Sequence, residues 1–402
     1  MTVPSMVRIE GVPRDYAWGS QSAIQQLLGR EPDGRPLAEL WFGAHPDDPA
    51  RVPDLDTTLD ELIAQDPTAA LGADVVERFG PQLPFLLKLL AAAKPLSIQV
   101  HPTRTQAEAG FADEDARGIA RDAPERNYRD RNHKPELLCA LTEFEALCGF
   151  RPVADTLRLL DAFDLPELEP MRELLTGEDP LRSAFTYLLR LPEPGPLVTA
   201  VAARAEAISD PEWSGAAGAV LRAAGAFPGD VGTVLSLLLN HVRLQPGEAI
   251  YLGAGNVHAY LHGLGVEIMA NSDNVLRCGL TSKHVDVDEL LKITDFSELP
   301  DPRWQSDQPD WFRVPVPDFE LAGVDLDGYR KPGQDAGECA AGDEGKPYLV
   351  LCVSGGVRVT VEGDSTDLAP GQAAFVRSRG PLFLLRGTGR AFLATVRSRM
   401  EI

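Results

Sequence analysis

No stretch of this 402-residue sequence approaches the roughly 20 consecutive apolar residues of a membrane helix. The opening segment, MTVPSMVRIEGVPRDYAWGS, lacks a basic stretch followed by an apolar core. No secretory leader is therefore expected, and the cytoplasm is the expected compartment. Cysteine is scarce. The five present (Cys139, Cys148, Cys278, Cys339 and Cys352) are odd in number, and none pairs at C-x-x-C spacing. That argues against a disulfide framework or a thiolate metal site and for buried free thiols in a reducing compartment. Positive charge is in deficit. With 38 Lys and Arg against 60 Asp and Glu, the net charge is −22, which disfavours nucleic acid and anionic membrane as partners. An anionic substrate would need a local positive site.

What remains is the profile of an ordinary globular chain, 44% hydrophobic and 24% charged, long enough for two or three packed units. Residues 1 to about 150 read as mixed and β-rich. The charged segment 110–136 has few aliphatics until its end and reads as a long exposed loop. From about 153 the pattern turns helical. Leu181, Phe185, Leu188 and Leu189 form a stripe at i, i+4, i+7, i+8, opened by Asp179 as N-cap and Pro180. Asp210-Pro211 precedes the Ala-rich AAGAVLRAAGA in the same way, and Val231, Val234, Leu235, Leu238 and Leu239 form a third stripe. From 241 the chain reads as short strands between Gly and Pro turns. LQPGEAIYL (244–252) and LAPGQAAFV (368–376) share Leu-x-Pro-Gly-x-Ala, a turn leading into a strand. The echo suggests two related β-sandwich or barrel units, although β-turns of this kind also arise by chance. The second copy has no histidine after it, so any chemistry belongs to the first.

Three stretches carry candidate chemistry. In LSIQVHP, alternation on a strand puts Leu96, Ile98 and Val100 on one face and Ser97, Gln99 and His101 on the other. An amide and an imidazole side by side suit a borderline metal, while a polar face that simply meets water is the commoner outcome of such a pattern. In NHKPELL, Lys134 and Glu136 share a face if the segment is extended, as Pro135 favours. Their bland reading is a surface ion pair. The third stretch, 247–284, holds His258 and Tyr260 on one face, Glu267 on an expected return strand, and Arg277 and Lys283 flanking a turn. Gln99, His101, Glu136 and His258 together offer two nitrogens and two oxygens, which suits a Zn²⁺ ion with an open position. One anionic ligand leaves that site with a charge near +1. Lys134, Arg277 and Lys283 add to it, as a phosphorylated substrate requires. His45, His133, His241, His262 and His284 are taken as structural or surface residues.

These motifs in order resemble the type I mannose-6-phosphate isomerases, a zinc-dependent, cupin-like family. The resemblance starts at YAWGS (16–20) and LAELWFGAHP (37–46). It is densest at PFLLKLLAAAKPLSIQVHP (84–102), NHKPE (132–136) and 255–287, and it fades in the helical block and over the last hundred residues. It implies one zinc ion per chain, held by Gln99, His101, Glu136 and His258, with Arg277 as the active-site arginine. Lys134, Tyr260, Glu267 and Lys283 match pocket positions. Cys278 stands where many members carry glycine, and Ser282 where many carry proline.

The expected fold is mixed and mainly β, two cupin-like β units with an inserted α-helical domain. The expected domains are the N-terminal part of a catalytic cupin (1–150), a helical domain (151–240), strands completing the site (241–310) and a metal-free C-terminal β domain (311–402). The expected reaction interconverts mannose 6-phosphate and fructose 6-phosphate in a monomer. Lys134 is the first choice of base, its pKa lowered by desolvation near zinc and a guanidinium, and Glu267 is the second. Ser97, Tyr260 and Lys283 are assigned to the substrate. Two other functions are open to such a sequence: another metal-dependent cupin enzyme, such as an oxygenase, and a non-catalytic phosphosugar-binding cupin.

Overall fold

A computed structural model describes residues 4–306, 310–327, 337–343, 345–378 and 382–399. The chain is mixed and mainly β, and it divides into two compact units. Among the described residues, no helix is long and apolar enough to cross a membrane.

One unit comprises residues 1–91, 264–271 and 304–402. Its larger sheet has six antiparallel strands in the order Met6–Ile9, Ala373–Val376, Tyr348–Cys352, Arg390–Thr395, Glu320–Asp325 and Trp311–Phe312. A second sheet of four runs Glu338–Ala341, Phe383–Thr388, Gly356–Val361, Asp364–Leu368. Val350, Leu393, Val359 and Leu385 are buried in one cluster, because alternating apolar residues on each sheet need a common dry layer. The strands Glu39–Gly43 and Phe85–Ala92 pair antiparallel, and the second is buried along its whole length. The apolar run 85–90 is thus a strand covered on both faces.

The other unit comprises residues 92–263 and 272–303. Helices Val153–Phe163, Glu169–Leu175, Pro180–Leu189, Gly195–Ala205 and Ser214–Ala226 pack through Leu159, Phe163, Phe185, Leu188, Val201 and Val220. Leu181, Phe185 and Leu188 face that core as their spacing predicts. Strand Leu239–Leu244 pairs with Phe144–Phe150, and Ala249–Leu252 pairs with Glu136–Ala140. All five cysteines are free and buried, and burial pushes the Cys148 thiol up to about 12.

Several local expectations fail, each for a physical reason. Segment 110–136 is not a plain exposed loop. A helix runs through Arg104–Ala116, and the chain after it is knit by buried charge. Glu114 accepts the backbone N–H groups of Asn127 and Tyr128, and the Arg126 guanidinium binds the carbonyl of Tyr128. Polar residues satisfied by backbone groups fill the role that aliphatics would play. The third stripe is one short helix, Gly232–Leu235, then a tighter turn at Ser236–Leu238 and a strand from Leu239. From 232 to 239 this run is buried at every position, so its apolar residues carry no periodic information. Asp179 does precede Pro180, but its side chain accepts no capping hydrogen bond and pairs with Arg182 instead.

The Pro-Gly echo is a structural one. In both copies the strand ends at leucine and the next begins at alanine, Leu244 to Ala249 and Leu368 to Ala373. Gly247 and Gly371 have φ of +94° and +78°, as a turn with proline then glycine at its centre demands. Glu248 N–H donates to the Gln245 carbonyl and Gln372 N–H to the Ala369 carbonyl, each at 2.9 Å. The side chains reciprocate: Gln245 N–H donates to Glu248 Oε2 at 2.8 Å and Ala369 N–H to Gln372 Oε1 at 2.9 Å.

Glu145 offers a pH test of the helical unit. The His241 ring at 3.5 Å, with Arg222 at 3.2 Å, holds its carboxyl at about 2, against the opposing effect of burial. A carboxylate whose folded pKa is depressed stabilises the fold above its unfolded pKa of about 4.5, and that contribution is lost as pH falls toward 2. Glu145→Gln should therefore cost on the order of 1 kcal/mol at pH 7, and the deficit should shrink below pH 4.5. Urea unfolding of both proteins at pH 7 and pH 4 checks this. A pH-independent deficit would assign the loss to packing.

Candidate active site

The second unit holds a buried cluster on four segments. Strand Ile98–Val100 is short, and Gln99 sits at its centre. Its register places Gln99 opposite His258 on one side and Arg277 on the other. Residues directly opposite across a ladder project to the same face, so the three side chains stand in a row. His101 follows the strand by one residue and is completely buried. Glu136 is the first residue of its strand and is 2% exposed. Pro135 sits between Lys134 and Glu136, and Lys134 Nζ lies 3.1 Å from Glu136 Oε1. This is a nearly buried contact, not the surface ion pair that was the bland alternative.

The distances are those of ligands around one ion. His101 Nε2 lies 3.4 Å from Glu136 Oε1, His258 Nε2 lies 3.4 Å from Glu136 Oε2, and Gln99 Nε2 lies 3.2 Å from His258 Nε2. Two ligand atoms on a tetrahedral zinc-sized ion, each bonded at about 2.0–2.1 Å, lie roughly 3.4 Å apart. His101 Nε2 and Glu136 Oε2 are buried and have no hydrogen-bond partner. Two orphaned polar atoms that point at one spot are costly unless a cation completes them. A half-turn of the Gln99 amide brings its oxygen to the same point.

The tautomers are set from behind. His101 Nδ1 lies 2.7 Å from the Asn274 carbonyl and His258 Nδ1 3.0 Å from the Asn256 carbonyl. A ring nitrogen facing a carbonyl must donate, so both Nε2 atoms carry lone pairs toward Glu136. Burial holds the His101 imidazole down to about 4, so it is neutral at pH 7. Burial would raise the Glu136 carboxyl, but the Lys134 ammonium at 3.1 Å holds it well below the usual range. Neutral imidazoles and an ionised carboxylate are the ligand forms a divalent ion needs.

Beside this cluster lies positive charge. Burial and Arg129 both lower the pKa of the Arg277 guanidinium, and Arg277, burial and Arg129 lower that of Lys283. Three like charges lie within electrostatic reach of one another. The loop between Arg277 and Lys283 is pinned by Asp230, which accepts the N–H groups of Leu280 and Thr281 at 2.7 and 3.1 Å. Leu280 is left-handed, with φ of +54°, a conformation that costs a non-glycine residue free energy. Cys278 is buried, with Sγ 3.5 Å from the Ile98 carbonyl. Ser97 is half-buried just before its strand, and Tyr260 is buried with its ring edge-on to Phe144.

Glu267 is placed differently from expectation. There is no return strand: His258–Ala270 is one continuous strand of 13 residues. Glu267 belongs to the first unit, where Lys88 Nζ lies 2.9 Å from its Oε2 and 3.7 Å from Glu39 Oε1. Sequence reasoning passed over Lys88 because a single lysine in an apolar run reads as tolerated charge. It also passed over Arg129 and Asn274. Arg129 was hidden among many charges, although it lies three residues before the NHKPE motif. Asn274 carried no signal beyond its place in the 255–287 motif.

A family model described as the type I phosphomannose isomerase catalytic domain matches residues 6–153. Mannose-6-phosphate isomerase of Escherichia coli is 38% identical over 94% of this chain and 96% of its own length. The Aspergillus fumigatus enzyme of the same name is 32% identical, covering 92% and 88%. A crystal structure of mannose 6-phosphate isomerase bound with zinc and yttrium superposes with a TM-score of 0.88 at 35% identity, over 98% of this chain and 100% of that one. A second, from Salmonella typhimurium with fructose 6-phosphate and zinc, matches equally well. The architecture is thus the cupin-like one with a helical insertion. The chain belongs to the type I mannose-6-phosphate isomerase family.

Proposed function

We propose that this chain interconverts mannose 6-phosphate and fructose 6-phosphate, with one zinc ion held by Gln99, His101, Glu136 and His258. The observation that carries the reading is the pair of orphaned buried atoms, His101 Nε2 and Glu136 Oε2, converging with His258 and Gln99. When bound there, the ion polarises sugar oxygens as a Lewis acid. The remaining chemistry falls to side chains. Lys134, once it has given up the proton it holds beside Glu136, takes the C2 proton of the open-chain aldose. The electron pair of the broken C–H bond forms the C1–C2 double bond, and the carbonyl oxygen becomes an oxyanion. Arg277, beside Gln99 in the ladder, stabilises that charge. Lys134 returns the proton to C1, and the O2 proton passes to O1, which leaves the ketone at C2 and a hydroxyl at C1. Lys283, with Ser97 and Tyr260, receives the substrate, and Lys283 supplies charge for its phosphate. We infer a monomer working in the cytoplasm on a small phosphosugar.

The deciding experiment is a linked-enzyme assay of mannose 6-phosphate conversion, with elemental analysis of the purified protein. Turnover above 1 s⁻¹, on the order of a typical enzyme, with one equivalent of zinc is expected. No conversion, or oxygen consumption with bound iron, would replace this reading with that of a different metal cupin. Binding of the phosphosugar without conversion would leave a non-catalytic binding protein.

A further inference from the structure

Asn274 is fully buried and spends its carbonyl and both polar atoms of its side chain on other segments of its unit. Its backbone carbonyl accepts from His101 Nδ1 at 2.7 Å. Its side-chain oxygen accepts the backbone N–H groups of Arg129 and Asp130, at 2.7 and 3.2 Å. Its amide nitrogen donates to the carbonyls of Asp130 and Asn132, at 2.9 and 2.8 Å. Its own N–H donates to Ser272 Oγ at 3.2 Å, and that hydroxyl donates to the Asp130 carboxylate at 2.9 Å. The Asp130 carboxylate also accepts the N–H groups of Asn132 and Asp273, at 2.8 and 2.7 Å. One residue therefore touches the back of a candidate metal ligand and the backbone of 129–132. That backbone leads directly to Lys134 and Glu136 and carries Arg129.

We propose that Asn274 is a positioning residue that binds His101 and the segment 129–132 into one unit, so that metal binding and ordering of that segment are linked. The inference rests on the proposed zinc site. The physical argument is one of satisfaction. Alanine at 274 would strand the N–H groups of Arg129 and Asp130 and the carbonyls of Asp130 and Asn132 that this amide satisfies, and the segment would move to find water. Aspartate would set a second carboxylate against Asp130. A carboxamide supplies an acceptor and two donors in one plane, and asparagine carries it on the short stem that this position holds. Because His101 is oriented by the same residue, a shifted segment also rotates its imidazole, and partners behind metal ligands are worth roughly 10–100-fold in affinity. Linkage makes the relation reciprocal, so zinc should quieten the segment.

Chelator competition on the full-length protein tests this without measuring catalysis. Asn274→Ala should weaken zinc binding about 10–100-fold. Amide exchange at Arg129 and Asp130 should slow on zinc loading in the parent protein and not in the variant. Ser272→Ala removes only the hydroxyl beneath the knot and should give a smaller loss in the same direction, which keeps the test available if Asn274→Ala does not fold. Zinc affinity within twofold of the parent in every variant that folds, with zinc-dependent protection intact, would overturn the proposal. Weakened zinc binding in a chain that fails to isomerise mannose 6-phosphate would uphold the linkage and refute the assigned reaction. Unchanged affinity in an active isomerase would do the reverse.

Discussion

His101→Ala should strip the protein of metal and turnover together. The imidazole contributes one of two buried nitrogens around Glu136, and its Nε2 has no other partner. Without it a tetrahedral site is reduced to His258, Glu136 and an amide, a set that holds zinc far more weakly. Loss of Lewis-acid stabilisation is worth several kcal/mol, so a fall of roughly 10³-fold or more in kcat/KM is expected. Zinc content after dialysis is the first measurement and the isomerase assay the second. Full metal occupancy in the variant would break the ligand assignment.

Arg277→Lys should do the opposite to metal and nearly as much to rate. Arg277 pairs across the ladder with Gln99 but is not itself a ligand candidate, so zinc content should stay at the parent level. The guanidinium is planar and holds its donors in a fixed fork, whereas an ammonium is a compact point charge on a flexible stem. Removing one well-placed oxyanion donor typically costs about 10²–10³-fold in kcat. The loss should fall on kcat more than on KM, because the charge develops in the transition state. Unchanged turnover would take Arg277 out of the mechanism. A fall confined to KM would make it a binding residue only.

The fold class was legible because its signals are local. Leu181, Phe185 and Leu188 repeat at helical spacing and meet the core as that spacing says. The two Pro-Gly turns declare themselves through proline and a glycine with positive φ. What escaped was the structure made by polar residues. Nothing in the pattern shows that Glu114 or Asn274 is buried, because their partners are backbone groups chosen by the tertiary fold. The run 232–239 escaped for the opposite reason, being mostly apolar and buried at every position. The candidate site was half legible. Alternation put Gln99 and His101 together, and Pro135 put Lys134 beside Glu136. That His258 and Arg277 flank Gln99 is a matter of strand register, which no single segment encodes. Assuming a return strand before Glu267 overlooked how long one strand can run.

The placement of the four ligand candidates has a further consequence. They come from stretches around residues 99–101, 136 and 258, so a shared ion would act as a staple closing two large loops of chain. Any agent that binds only the folded form raises stability with its free concentration, by about 2.7 kcal/mol at a hundred times its dissociation constant. The melting point of this protein would then be set partly by its surroundings, falling in zinc-poor conditions with no change in sequence.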